Sequence, residues 1–304
     1  MLADMSISST DSERAAPAQP ATPPVRAPQT LRLADLEKQP LAGAGNFLYK
    51  IPFEDGFAVL KVYFGSRHPA LHIRKSLSNL LFTGRTSHMP KARYRTELAC
   101  VGVWEKHGFR CFGIRPEVRF SDLPDDGYLL FDYTPGQHFR EYFKDEEVSL
   151  DDRLALWRRF LGEWHRRHAT AVRENEPRLL HENGDVKHVM LWQGDLVYFD
   201  FEICFRSHDI RDLVGREMLA YMRSTGKFFG DEMYDRMMDE LIEHYPDKTL
   251  LLGAWEHAYR NHNLFIRVGR YLDRTLRSRH RGKRYSKYAV AADIKRRLDA
   301  ASLT

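Results

Sequence analysis

A change of hydrophobic period near Pro135-Gly136 constrains this chain more than any other feature. Before that point apolar residues come in short runs separated by turn residues, and after it they recur at steps of three and four. A period of two selects strands and a period of 3.6 selects helices. The expected product is an α+β protein of two lobes, the first small and β-rich, the second helical. Residues 1–30 stand apart, with five of the fourteen prolines and no aromatic residue. They lack the apolar area that would offset ordering entropy and read as a disordered leader. The expected divisions are therefore 1–30, a first lobe over 31–134 and a second over 135–304.

Within the first lobe FLYKIPF, the turn Glu54-Asp55-Gly56 and FAVLKVYF predict a β-hairpin, with Gly43 and Gly45 just before it. Residues 69–90 form a basic insertion. Leu98, Val101 and Trp104 give 91–107 a helical spacing, and strands are expected near 114–120 and 127–133. In the second lobe Leu154, Leu156, Trp157, Phe160, Leu161 and Trp164 make a wide apolar stripe over 151–173. VMLW, the turn Gln193-Gly194-Asp195 and LVYFD predict one further strand pair.

Composition narrows the function classes. The chain is 43% hydrophobic and 29% charged, and no run approaches the roughly 18 apolar residues of a spanning helix. Asp4 and the serines near the start interrupt any secretory h-region. Cys100, Cys111 and Cys204 form no CxxC pair, which disfavours a cysteine zinc site or a disulfide scaffold and suits a reducing, cytoplasmic compartment. The net charge of +5 is unevenly spread: residues 267–297 hold twelve Lys/Arg against two Asp. Arg267, Arg270, Arg274, Arg277 and Arg281 follow at helical steps, a stripe that either attracts phosphate or is a solvated face.

The residue types that phosphoryl transfer requires occur in order. Lys61 lies in the strand AVLK, sixteen residues after Gly45, and Glu97 lies in a helix thirty-six residues later. Then come His181-Glu182-Asn183-Gly184-Asp185-Val186-Lys187-His188, the strand pair, and Asp200-Phe201-Glu202. A carboxylate between a hydrophobic strand and a phenylalanine is costly to desolvate without a cation or donor, which makes Asp200 the firmest candidate metal ligand. Each residue also has a plainer role open to it: a snorkelling strand lysine, a solvated helical glutamate, a strand-end cap. His165 and His168, without a third ligand in view, read as structural, as do Asp209 and Asp212.

This succession resembles the bacterial protein-kinase-like superfamily. It is closest in style to the lipopolysaccharide core kinases that act on Kdo or heptose, and is more loosely similar to the aminoglycoside phosphotransferases. The likeness spans about residues 35–240, through AVLK, RTE, LLFDYTPG, HENGDVKH and YFDFE. It implies ATP and Mg²⁺ as cofactors, with Gly43, Gly45, Lys61, Glu97 and the hinge residue Asp132 at the nucleotide and His188 and Asp200 at the metal.

The catalytic loop admits three alignments. Counting from His181 puts Asn183 at the proton-accepting position, where an amide cannot serve as base, and His188 at the second metal position. Taking Asp185 as the base in the same spacing puts Met190, a poor Mg²⁺ ligand, at that second position. A loop shortened by two residues, with Asp185 as base and His188 retained, satisfies the chemistry best.

The resemblance implies an ATP-dependent phosphotransferase acting on a hydroxyl of a sugar or lipopolysaccharide-type glycolipid. Arg67, Arg74, Lys75, Arg85, Lys91, Arg93, Arg95 and the arginine stripe would face an anionic acceptor or the inner-membrane surface. The alternatives are a catalytically impaired pseudokinase serving as a binding or regulatory module, which Asn183 favours, and a protein kinase. Nucleic-acid binding is disfavoured, because Tyr271, Tyr285 and Tyr288 are too dispersed for a stacking platform.

Overall fold

The structure is a computed structural model and describes residues 28–42, 45–65, 68–260, 267–268, 271–272 and 285–302. Most of the leader, Gly43, Arg67, and Arg270, Arg274, Arg277 and Arg281 of the stripe lie outside the described residues. The expected leader is too long at its end. Gln29 and Thr30 belong to strand β1 (Gln29–Leu31), which pairs in parallel with β5 (Val118–Phe120).

The first lobe is built on a four-stranded antiparallel sheet in the order β2 (Gln39–Ala42), β3 (Phe47–Phe53), β4 (Gly56–Val62), β6 (Tyr128–Asp132). The predicted hairpin is β3 and β4, in register from Phe47 opposite Val62 to Phe53 opposite Gly56. Strand alternation then decides the chemistry. Ala58, Leu60 and Val62 enter a core with Ile51, Phe53, Val118 and Leu130, so Val59, Lys61 and Tyr63 turn to the other face.

Helix α1 (Pro69–Ser78) and a short π-helical turn at Asn79–Thr83 occupy the basic insertion, which had shown no helical element to sequence reading. Helix α2 (Pro90–Lys106) buries Arg93, Glu97, Cys100, Val101 and Trp104. Leu98, expected on its inward face, is 40% exposed. The inward face at that end of the helix carries Arg93 and Glu97 instead, because Lys61 and another carboxylate compensate them there.

The chain leaves the first lobe at Asp132 and passes through β7 (Gln137–His138) and α3 (Phe139–Lys144) into α4 (Leu150–Glu174). Ser149 caps α4, its Oγ accepting from the Asp152 amide. The apolar stripe of α4 packs on α5 (Ile210–His244), with Trp157, Phe160 and Trp164 in one cluster with Met218, Tyr221, Met222 and Met237. Between these helices lie β8 (Val189–Trp192) and β9 (Asp195–Tyr198), the predicted pair, joined to β7 in a three-stranded sheet. Helix α5 is broken at Gly230, whose φ of 80° suits only glycine at low cost. Helices α6 (Lys248–Tyr259) and α7 (Lys287–Ala301) pack against it. The layout is that of a two-lobed α+β fold with a cleft between sheet and helices.

Candidate active site

The cleft has a volume of about 690 Å³. Leu48, Val59, Phe131, Met190 and Phe199 supply apolar walls, the backbone from Asp132 to Gly136 forms one edge, and Lys61, Glu97, Asp200 and Glu202 lie at the polar end. Such a space, with apolar walls and a few convergent charges, suits a small polar ligand carrying one flat apolar group.

Lys61 is the centre of the charges. Its Nζ donates to Glu97 Oε2 at 2.7 Å and Oε1 at 3.0 Å, stands 2.8 Å from Glu202 Oε1 and 3.5 Å from Asp200 Oδ1. Burial alone would lower the Lys61 pKa, but Glu202, Glu97 and Asp200 outweigh it and hold the ammonium well above its usual range. Burial pushes the Glu97 carboxyl up despite Lys61, and Glu202 and Asp200 add to that. The Tyr63 hydroxyl donates to Glu97 Oε2, which fixes the carboxylate from the sheet side.

Asp200 follows β9 with a left-handed φ of 73°, unusual for a residue with a side chain. Two groups of the loop after α4 hold it. His181 Nε2–H donates to the Asp200 carbonyl at 3.2 Å while its Nδ1 accepts from the Tyr221 hydroxyl at 2.9 Å. Asn183 Nδ2 donates to Asp200 Oδ2 at 2.9 Å. Burial works against the Asp200 carboxylate, yet the Lys61 ammonium above all keeps its pKa far below the ordinary value. Burial also keeps His181 neutral, with its pKa lowered to about 3.

His188 carries a geometric signature. Its Nδ1 faces the Asn183 carbonyl at 2.9 Å and must donate there. Its Nε2 points at Asp200 Oδ2 from 3.3 Å, so the pair can share a proton or take a cation between or beside them. Among the described residues no group of three or more His, Cys, Asp or Glu is arranged to hold a metal, so a cation here would take further ligands from a phosphate and water.

Of the predicted residues, the structure brings Lys61, Glu97, His188 and Asp200 together, with Asn183 bonded to the last. Asp185 has a different local role: it caps the turn Val186–His188, Oδ1 accepting from the Lys187 amide at 3.0 Å, and is not part of the cleft lining. Asp132 lines the cleft edge with its side chain paired to Arg115. Gly45 offers its carbonyl to Arg93, and Gly43 lies outside the described residues.

Arg93, expected on the basic surface, is instead 1% exposed. Its guanidinium meets Glu202 Oε2 at 2.7 Å through Nε, the Gly45 carbonyl at 3.2 Å and the Asn46 side chain. Asn46 in turn donates to Glu202. Arg93, Asn46, Tyr63 and Glu202 are thus site residues that sequence reasoning had not assigned. The available signal was the four-residue step from Arg93 to Glu97, which places both on one helical face. Arg85 is half-buried and pairs with Glu182. His168 is structural as expected, bonded to the Tyr245 hydroxyl and to Glu217, and Asp209 caps α5. Tyr288 is buried and Tyr285 packs on Tyr234.

The fold and site together hold a strand lysine paired to a helical glutamate, a segment linking the two lobes, and a loop that holds a carboxylate after a strand pair, the arrangement that the protein-kinase-like resemblance led one to expect. No protein-family model and no curated protein sequence matches the chain. Among solved structures it is similar to WaaP in complex with acyl carrier protein, at 12% identity and a TM-score of 0.38 over 88% of this chain and 90% of that one. It is similar to an apo pseudokinase at 15% identity and a TM-score of 0.40, covering 91% and 98%. It is also similar to an ethanolamine kinase of Plasmodium vivax at 11% identity and a TM-score of 0.38, covering 88% and 82%.

Proposed function

We propose that the protein is an ATP-dependent phosphotransferase that phosphorylates a hydroxyl, with a sugar or glycolipid as acceptor. The observation that carries this reading is the Lys61 ammonium, held at the polar end of the cleft between Glu97 and Asp200. Phosphoryl transfer is mostly positioning and charge stabilisation. In this reading Lys61 grips the nucleotide phosphates, Glu97 with Tyr63 aims Lys61, and the apolar walls with the 132–136 backbone take the base. Asp200 and His188 are the residues that would hold Mg²⁺, which supplies charge neutralisation at the phosphates when bound. Asp185 is the proposed base for the acceptor hydroxyl, since Glu182 is spent on Arg85 and Arg216 and Asn183 is an amide.

No helix among the described residues is long and apolar enough to cross a membrane. A cytoplasmic protein meeting the inner-membrane surface through its basic C-terminal segment is part of the proposal.

A second reading, a nucleotide-binding module without turnover, is favoured by one observation: the Asn183 amide is committed to Asp200 Oδ2. ADP formation from ATP, with and without candidate acceptors, decides between them when wild type is compared with Asp185→Asn. Turnover in the wild type that the variant loses while still binding ATP supports the enzyme. Binding without turnover in either protein supports the module.

A further inference from the structure

A second cavity of about 720 Å³ lies on the far side of the 181–188 loop from the cleft. Glu182 lines it, while the next residue, Asn183, holds Asp200 in the cleft. Its wall carries four cations, Arg85, Arg216, Arg223 and Lys287, against two carboxylates, Glu182 and Asp212.

The two carboxylates leave an excess of cations in the described wall, although the field of Asp212 reaches both Arg216 and Lys287. Glu182 is engaged by Arg85 and, at 3.4 Å, by Arg216. Asp212 accepts from His257 Nδ1 at 2.8 Å. Among the described residues no carboxylate pairs with Arg223, whose Nε donates to the Tyr285 carbonyl, or with Lys287. Burial, followed by the fields of Arg216 and Arg223, lowers the Lys287 pKa. Burial and Arg85 do the same to Arg216. Like charges gathered in a concave, partly desolvated wall raise the free energy of the empty protein and attract an anion.

One edge of the same cavity is apolar. Leu80, Leu81 and Phe82 line it and are 41%, 64% and 55% exposed. Leu77 and Ile73 of α1 extend this exposed strip along the surface. Leu80 and Leu81, exposed and at the edge of a cationic basin, complement a ligand with an anionic head and an apolar tail better than they complement free phosphate.

We propose that this cavity binds the phosphate-bearing headgroup of an amphiphile, with its acyl portion lying along Leu80–Phe82. That this amphiphile is the phosphoryl acceptor rests on the phosphotransferase reading above; the binding site does not.

The test is calorimetric titration of the full chain with dihexanoyl phosphatidic acid, dihexanoyl phosphatidylcholine and inorganic phosphate, each below its micellar concentration where one exists. The wild type is compared with Arg223→Gln/Lys287→Met, and the thermal shift by ATP–Mg²⁺ is recorded in parallel. The expected result is binding of phosphatidic acid at least tenfold tighter than of either other probe, reduced at least tenfold in the double variant with the ATP shift intact. Removing two repelling cations is also expected to leave the ligand-free midpoint unchanged or higher. Equal affinity in wild type and variant overturns the site, as does equal affinity for phosphatidylcholine. Equal affinity for inorganic phosphate overturns the amphiphile. Loss of the ATP shift in the wild type counts against the phosphotransferase and leaves the lipid titration to stand or fall by itself.

Discussion

Glu202 Oε1 stands 2.8 Å from Lys61 Nζ, closer than Asp200 Oδ1 at 3.5 Å. The lysine is thereby shared among three carboxylates, and a second buried cation, Arg93, binds Glu202, which leaves the cluster with two cations to three carboxylates. Removing either cation leaves a carboxylate short of a partner in a desolvated place. Arg93→Met is expected to cost about 3–5 kcal/mol of stability, as breaking a buried pair from one side does. Arg93→Met/Glu202→Gln is expected to cost less than the sum of the two single changes by about 1–3 kcal/mol. Urea unfolding of the four proteins measures the coupling, and strict additivity would show that the pair is not a unit.

Nucleotide binding reads out through the thermal midpoint. ATP–Mg²⁺ at a hundredfold excess over its dissociation constant adds about 2.7 kcal/mol, a rise of about 4 °C for a chain of this size. Asp200→Asn, which keeps the shape and removes the charge, is expected to abolish the Mg²⁺-dependent part. Lys61→Arg keeps the charge inside the carboxylate cluster and changes its geometry, so it is expected to retain the fold and lose most of the ATP response. A full response in both variants would place the nucleotide elsewhere.

Two buried histidines make stability depend on acid. Burial lowers the His168 pKa to about 4 and the His181 pKa to about 3, against 6.5 when exposed. As pH falls below about 6.5 the unfolded chain takes up these protons and the folded one does not, so their contribution is fully present above that value and is lost on acidification. The two together contribute a slope of up to about 2.7 kcal/mol per pH unit between pH 6 and 4. His168→Gln is expected to reduce the slope by about half that amount. Unfolding free energies measured across this range check it, and an unchanged slope would mean that His168 titrates in the folded state.

Two glycines have opposite expectations. A Cβ at Gly184 would come within 2.8 Å of the Tyr221 ring and 3.1 Å of the His181 carbonyl, so Gly184→Ala is expected to cost about 1–3 kcal/mol. It also shifts the loop that holds Asp200, and ATP binding should weaken with it. Gly162 in α4 has open space around it, and Gly162→Ala is expected to stabilise by about 0.5–1 kcal/mol. Differential scanning calorimetry of the two variants tests both signs.

The elements around the site were legible because local pattern decides them. The β3–β4 hairpin, α4 and the β8–β9 pair follow from turn residues and from hydrophobic period, which need no distant partner. Residue type and order grouped Lys61, Glu97, His188 and Asp200, which the structure brings together. Order does not say which carboxylates one lysine collects, and Glu202 reaches Lys61 only because β4, α2 and the segment after β9 converge at the polar end of the cleft. Arg93 shows the same limit: by sequence it is one more cation in a basic stretch, and only the packing of α2 on the sheet makes it a buried partner of Glu202. Leu98 is its converse, an apolar residue turned outward by the charges that claim the inward face. The loop 181–188 divides in the same way. Asp185 caps the next turn by a local contact, but only tertiary contacts assign Asn183 to Asp200 and Glu182 to Arg85 and Arg216. Periodicity is a property of neighbours along the chain, whereas the partners of a buried charge are chosen by which elements meet in space.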